Sequence, residues 1–513
     1  MKVVTGETMQ QMDRRTIDEF GVPGLVLMEN AGLRCAEEII AEYGSVLPRK
    51  AAILAGKGNN GGDGYVIARL LKYQGWEVRV FVMARNDEIT GDAAINLQRL
   101  DSAMVSYCPE PGALSQYQSY LVNASLVVDA LLGTGLKSDV RGLYAEAIDL
   151  VNNSGKTVFA VDIPSGIDSG CGKILGKAVQ ANMTVTFALA KLGNVLYPGA
   201  ELCGRLQVVD IGIPAEVIAE ADGYEFVDME TARLLLKRRG RQAHKGDCGH
   251  CLIVAGSTGK SGAAAMAANS AVRAGAGLVT VAIPASLNAI MEIKTTEAMT
   301  LPLADSEGSI GEAAYEAVMA EACGKDAVAI GPGISSNPST ATMVRKLVTA
   351  LPFPLILDAD GLNAISEDRE LLLRKKSATV ILTPHPGEMA RLAGITVADV
   401  EMDRIAVASG FSTRYNVFLV LKGARTIIAT PDGDIAINGS GNPGMASGGM
   451  GDVLTGIITA LIAQGYAPFA ACKLGAFLHG YAADLIATEK GEVGMSAVDV
   501  QEMLPYACKQ LSS

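Results

Sequence analysis

The feature that most constrains this chain is a repeated alternation. Short apolar runs rich in strand formers end in glycine-rich or polar loops, and helically spaced segments follow them. Residues 51–55, 78–83, 126–130 and 158–161 are such runs, and 65–73 has helical spacing. Strands that are apolar throughout and separated by helices imply a parallel sheet covered on both faces. Ligands of such sheets bind at the carboxyl ends of the strands. The loops there, after Ala55, Ala130 and Val161, are the glycine-rich ones.

From Ala215 to Arg241 the pattern loosens and ends in a basic run, Lys237-Arg238-Arg239-Gly240-Arg241, read as a solvated face. Alternation then resumes with strand-like runs at 252–255, 278–283, 327–330, 354–357, 379–382 and 417–421, and a long Ala-rich helix at 263–274. The expected architecture is two tandem α/β domains, 1–222 and 223–513.

Composition narrows the function classes. The formal charge of −12 and the 5% aromatic content argue against nucleic acid, which needs basic patches and stacking platforms. The most apolar late stretch, 453–465, is shorter than the roughly 20 residues of a membrane span. No apolar leader follows Met1, so no secretory signal is expected. Cys248 and Cys251 stand at C-x-x-C spacing, but before a strand rather than at a helix start, so reduced and partly buried thiols are expected. A cytoplasmic location and a homo-oligomer are expected.

Residues 56–61 (GKGNNG) satisfy G-x-G-x-x-G between a strand and a helix. Glycines let a backbone approach phosphate, and a helix start supplies free N–H groups. A dinucleotide site also calls for an acid at the end of the second strand, where Arg85 stands instead. A tight βα turn explains that motif alone equally well. Two further loops, 129–136 (DALLGTGL) and 161–168 (VDIPSGID), lie at the same sheet edge, so three would converge on one pocket. Asn60, Asp129 and Ser165 offer hard oxygen ligands for K⁺ or Mg²⁺, and Asp162 can serve as an acid/base group.

In the second half, Gly256-Ser-Thr-Gly259-Lys260-Ser261 approaches a P-loop, but Val254 stands where its first glycine belongs. The stronger feature is 439–452 (GSGNPGMASGGMGD), which opens a helix at 453–464. Glycines at a helix start form an anion hole for a transferring phosphoryl group, and Asp452 beside it can accept a hydroxyl proton; the plainer reading of Asp452 is an N-cap. Asp358 and Asp360 can hold Mg²⁺ or cap a segment, His385 lies in a Pro-bracketed loop, and Lys422 and Arg425 face either phosphates or solvent.

NNGGDG, DALLGTGL and DIPSGID resemble the NAD(P)H-hydrate epimerase domain, which is Rossmann-like. AGSTGKSGAAAMAANSAVRAGAGLVT, TPHPGE and GGMGDVLTG resemble the ribokinase-like NAD(P)H-hydrate dehydratase domain. Together they span nearly the whole chain, which is similar to the bifunctional nicotinamide-nucleotide repair family. The resemblance implies that the first domain interconverts the R and S epimers of NADH or NADPH hydrated at C6. It implies that Asn59, Asn60, Gly61, Gly62, Asp63, Gly133, Thr134, Gly135, Leu136, Lys137, Ser138, Asp139 and Asp162 hold the hydrate. K⁺ would lie on Asn60, Asp129 and Ser165.

The second domain would dehydrate the S form with ADP as phosphoryl donor and Mg²⁺ alongside, Asp452 acting as base. The resemblance implies that hydrate lies near Gly333, Pro384, His385, Pro386, Gly387, Glu388, Met389, Ala390 and Asp452. Nucleotide would lie on Lys422, Gly423, Ala424, Arg425, Thr426, Asn442, Pro443, Gly444, Met445, Ala446, Ser447, Gly448, Gly449, Met450 and Gly451. The competing expectation is a vitamin kinase of the ribokinase superfamily with a non-catalytic N-terminal binding module, a role that homologous domains play in RNA-decapping assemblies.

Overall fold

The computed structural model describes residues 1–512. The chain divides into two compact units, Lys2–Gly223 and Tyr224 onward with Met1. In the first unit a parallel sheet has the order Val105–Tyr107, Glu77–Val82, Lys50–Ala55, Leu126–Ala130, Thr157–Val161, Met183–Phe187, Arg205–Val209. A separate parallel pair joins Lys2–Val4 to Ala190–Lys191. Strand order reverses between Lys50–Ala55 and Leu126–Ala130, so the crevice of a doubly wound sheet opens there.

Side chains alternate across this sheet as the two-residue period requires: Ala51, Ile53 and Ala55 enter one core, Ala52 and Leu54 the opposite one. Ile53, Leu54, Phe81 and Phe159 are each 0% exposed, and burial of each contributes about 1.5–3 kcal/mol.

In the second unit the order is Met299–Leu303, Leu278–Pro284, His250–Val254, Ala327–Ile330, Leu355–Leu357, Val380–Leu382, Phe418–Leu421, Ile427–Ala429, Ile435–Asn438, Tyr224–Val227. The strands are parallel through Phe418–Leu421, and two antiparallel pairings follow. The second of these is a hairpin over Pro431-Asp432-Gly433, where Gly433 has φ +94° and the proline pre-sets the preceding turn. The Ala-rich helix Ser261–Arg273 packs on Met450–Ala463. A Cβ on Gly456 would lie 2.2 Å from the Ala267 carbonyl, so the glycine sets how closely these helices approach.

The basic run is exposed, as expected, and three of its side chains also hold backbone carbonyls. Lys237 Nζ donates to the Gly465 carbonyl (2.9 Å), Arg238 to Ser512 O (3.3 Å) and Arg239 to Gly275 O. Each carbonyl lies at or just past a helix C-terminus: Met450–Ala463, Ala497–Ser512 and Ser261–Arg273. The three cations therefore meet the negative ends of three helix dipoles.

Cys248 and Cys251 are buried, free thiols, and burial pushes the Cys251 thiol far up, away from a reactive thiolate. Among the described residues no helix is long and apolar enough to cross a membrane.

Candidate active sites

The helix after the first glycine loop begins at Asn59, not near Tyr65, so the NNGGDG segment forms its first two turns. Packing explains these helical glycines. A Cβ on Gly61 would lie 2.0 Å from Gly56 O, and one on Gly64 would lie 2.7 Å from Ala130 Cβ. Gly56 itself would meet Leu131 O at 2.0 Å, which lets the two loops cross at the switch point.

Asn60, Asp129 and Ser165 converge there. Asn60 Nδ2 donates to Leu132 O (3.1 Å), and the Leu132 amide donates to Ser165 Oγ (2.8 Å). Asp129 accepts the Ser165 hydroxyl (2.6 Å) and the Ser165 (2.8 Å) and Leu131 (3.2 Å) amides. Burial pushes the Asp129 carboxyl up to about 6 against these donors. Among the described residues it has no cationic side-chain partner, so this buried carboxylate flanked by oxygens fits a monovalent cation.

Asp162 follows its strand with φ +65°, a conformation that costs a non-glycine residue about 1–3 kcal/mol and marks functional sites. Its Oδ1 accepts from Lys191 Nζ, Thr186 Oγ1 (3.0 Å) and the Phe187 amide (3.3 Å). Lys191 is 0% exposed; its ammonium also donates to Thr186 Oγ1 (2.9 Å) and Phe187 O (3.2 Å). Asn194 bridges the two by accepting the Lys191 amide (2.8 Å) and donating to Asp162 O (3.2 Å).

Two further acids belong to this cluster. Burial and the Asp162 and Asp13 charges push Asp63 well up. Burial pushes Asp13 up to about 6, opposed by Lys191. The sequence reading missed Asp13, Lys191 and Asn194; Lys191-Leu-Gly-Asn194 carries no recognisable motif.

A cavity of about 500 Å³ lies beside these loops, walled by Gln10 and Arg14, by Thr134, Leu136 and Lys137, and by Asp168 to Gly170. A Cβ on Gly133 would contact Asn60 at 3.3 Å, so that loop lies over the oxygen cluster. Asn59, Ser138 and Asp139 are exposed, and Asp139 pairs with Arg141.

In the second unit the helix Met450–Ala463 starts three residues before the expected point, capped by Gly449 at φ +93°. Asp452 is therefore not the N-cap but sits in the first turn. Burial, then the Asp358 charge, push its carboxyl up to about 7, Asp360 and Glu388 adding to this and Lys422 opposing it. A carboxylate poised there suits general-base work at neutral pH.

Lys422 is largely shielded from solvent and lies against carboxylates. Its Nζ lies 2.8 Å from Asp358 Oδ1 and 3.8 Å from Glu388 Oε2, and 3.1 Å from where a Gly451 Cβ would sit. Burial alone would lower the Lys422 pKa, but the Asp358, Glu388 and Asp452 charges outweigh it and raise it.

Half-buried Arg404 threads the following loop, donating to Leu421 O (3.1 Å), Lys422 O (3.2 Å) and Ala424 O (2.6 Å); Arg425 donates to Gly439 O. Thr426 donates to Gly423 O (3.2 Å). Asp484 anchors the glycine loop through the Gly441 amide and Asn442 Nδ2, both at 2.9 Å. Pro443–Met445 forms a short turn, and Ser447 reaches Met495 O (3.3 Å).

His385 caps the helix Pro386–Ala393: its Nδ1 accepts the Gly387 amide (3.0 Å), and Glu388 returns to the His385 amide (2.8 Å). Met389 and Ala390 are buried with the core rather than turned outward. Gly333, at φ +61°, is held by Ser257 and packs on Lys260 and Ala263.

Both aspartates of the DADG segment have partners within the protein. Asp358 is committed to Lys422 and Thr455, and Asp360 to Lys260, the Ser335 amide and Asn363.

Residues 24–193 match the family described as YjeF-related protein N-terminus, and residues 251–506 match NAD(P)H-hydrate dehydratase. The chain is 44% identical to the bifunctional NAD(P)H-hydrate repair enzyme of Moorella thermoacetica, covering 100% of this chain and 97% of that one. It is 34% identical to the Escherichia coli enzyme of the same name, over 96% and 91%. A hypothetical protein of Streptococcus mutans of solved structure is 27% identical with TM-score 0.50, covering 56% of this chain and all of its own. The relatives match across both units, which a vitamin kinase with an unrelated binding module does not account for. The chain belongs to the family of bifunctional NAD(P)H-hydrate repair enzymes, in which an epimerase domain precedes a dehydratase domain.

Proposed function

We propose that the two sites divide one repair reaction between them, hydrated NADH or NADPH being epimerised at Asp162 and the S form dehydrated at Asp452. The observation that carries this is Asp452, a half-buried carboxylate pushed up to about 7 in the first turn of a glycine-capped helix. Hydroxide leaves carbon poorly, and phosphate leaves easily. Asp452 accepts the C6 hydroxyl proton as that oxygen bonds the terminal phosphorus of the nucleotide, whose bridging P–O bond breaks. The Gly448–Gly451 backbone amides stabilise the transferring group. Phosphate then departs from C6 while C5 loses a proton, which restores the C5–C6 double bond.

ADP is the donor in this reading, held on the loops 422–426 and 442–451, with hydrate against Gly333 and 384–388. Mg²⁺ accompanies the nucleotide and supplies charge neutralisation.

In the first domain Asp162 takes the C6 hydroxyl proton as the C6–N1 bond opens to an aldehyde and N1 gains a proton. Closure on the other face reverses these steps. Lys191 is a positioning residue that holds the carboxylate in its strained turn. The hydrate lies along Asn59 to Asp63 and Gly133 to Asp139, and K⁺ is held by Asn60, Asp129 and Ser165, where it supplies charge for the buried carboxylate. The nine free thiols suit the reducing cytoplasm.

The test uses the full chain and separated epimers. Asp452→Asn should lose dehydration and keep epimerisation, and Asp162→Asn should do the reverse. An active Asp452→Asn would refute the assignment.

A further inference from the structure

Beneath the glycine hole of the dehydratase domain lies a charged layer to which phosphoryl transfer assigns no role. Asp358 is 1% exposed and directly follows the strand Leu355–Leu357. Its Oδ1 accepts from Lys422 Nζ, and its Oδ2 accepts from Thr455 Oγ1, both at 2.8 Å. Thr455 lies three residues after Asp452 on the same helix, so the two side chains share a face. Asp358 Oδ2 is 3.7 Å, and Lys422 Nζ 3.1 Å, from the point a Gly451 Cβ would occupy.

One carboxylate thus ties the cation under the hole to the helix that carries the base. The backbone is constrained to place it. Ala359 holds φ +47°, ψ −118°, and Gly331, whose Cβ would lie 1.8 Å from Asp358 O, permits the close approach. Strain of this kind persists only where the surroundings over-determine it.

We propose that Asp358 is a positioning residue for dehydration, holding Lys422 beneath Gly451 and, through Thr455, fixing the helix turn that presents Asp452 to the C6 hydroxyl. This rests on the reading of Asp452 as the base. The charges facing Asp452 are Asp358, Lys422, Asp360 and Glu388. Lys260 neutralises Asp360 at 3.0 Å, and His479, buried on the helix Pro468–Lys490 and pushed down to about 4 by burial and Lys422, is neutral. Asp358 is the strongest of the charges that keep Asp452 basic; without it Asp452 gives up its proton at lower pH and Lys422 loses its anchor.

The experiment compares kcat against pH for the full-length wild type and Asp358→Asn, with S-hydrate of NADH, Mg²⁺ and saturating ADP. The plateau kcat should fall at least about tenfold, and the acid limb should move down by about one pH unit, as loss of a neighbouring like charge requires. KM for hydrate and ADP should stay within about threefold. A limb that stays at its wild-type pH, or a raised KM with unchanged kcat, overturns the proposal.

Thr455→Val and Thr455→Ser decide independently if Asp358→Asn does not fold. Val should lower kcat with KM unchanged, and Ser should restore it; a Val variant equal to wild type overturns the clamp. An active Asp452→Asn would sink the underlying reading instead. An inactive Asp452→Asn with an unmoved Asp358→Asn limb sinks only the clamp.

Discussion

Lys191→Met tests the first domain's charge cluster most sharply, because it removes one buried cation and keeps the volume of its stem. The ammonium is fully buried and donates to Asp162, Thr186 and Phe187. Removing one partner of a buried pair costs about 3–5 kcal/mol. At about 2–4 °C per kcal/mol for a domain of this size, the midpoint should fall by about 6–20 °C.

Trp76 is the sole tryptophan and is 2% exposed in the core of this unit, so its fluorescence follows the first domain alone. The pH dependence adds a sign. Burial raises Asp13 and Asp63 above the ordinary carboxyl value, while Lys191 lowers both. The folded state therefore binds more protons than the unfolded one, and stability falls as pH rises from about 4 through 6. Without Lys191 that fall deepens and extends to higher pH. The gap between variant and wild type should be widest near pH 8 and should narrow by pH 5. A Trp76 midpoint within about 2 °C of wild type, with a gap flat across pH, would refute the reasoning.

Three further outcomes are expected. K⁺ should raise the Trp76 midpoint of the wild type but not of Asp129→Asn, and in K⁺-free buffer that variant should be the more stable of the two, since its buried charge is gone. The dehydration rate should fall as pH drops through about 7, where Asp452 gains its proton and ceases to act as a base, measured with S-hydrate alone. Gly61→Ala, whose new Cβ would lie 2.0 Å from Gly56 O, should abolish epimerisation and destabilise the first domain by at least about 2 kcal/mol while dehydration persists.

The parallel parts of both sheets were legible where the strands are apolar throughout and end in glycine-rich or polar loops. The strands Val105–Tyr107, Met183–Phe187, Arg205–Val209 and Met299–Leu303 escaped notice, since threonines, arginine, proline or short length interrupt the apolar run. Of the first site, Asn60, Asp129, Asp162 and Ser165 were visible as polar residues in loops at one sheet edge. Lys191 and Asp13 were not: one closes the short strand Ala190–Lys191, the other lies within an ordinary helix, and only the fold brings them beside Asp162. In the second domain the glycine run announced the helix start, but the partners of Lys422 are Asp358, just past a strand and 64 residues away, and Glu388 on the helix Pro386–Ala393. Such pairings depend on topology and leave no local signal.

The most direct test of a shared repair reaction is recovery of dihydronicotinamide absorbance from an equilibrated R/S mixture of hydrated NADH with Mg²⁺ and ADP. The wild type should restore the full absorbance in one rapid phase, and Asp162→Asn should stop at the S fraction and then creep at the spontaneous rate. A wild type that itself stops at the S fraction would contradict the account by leaving the first domain without epimerase activity.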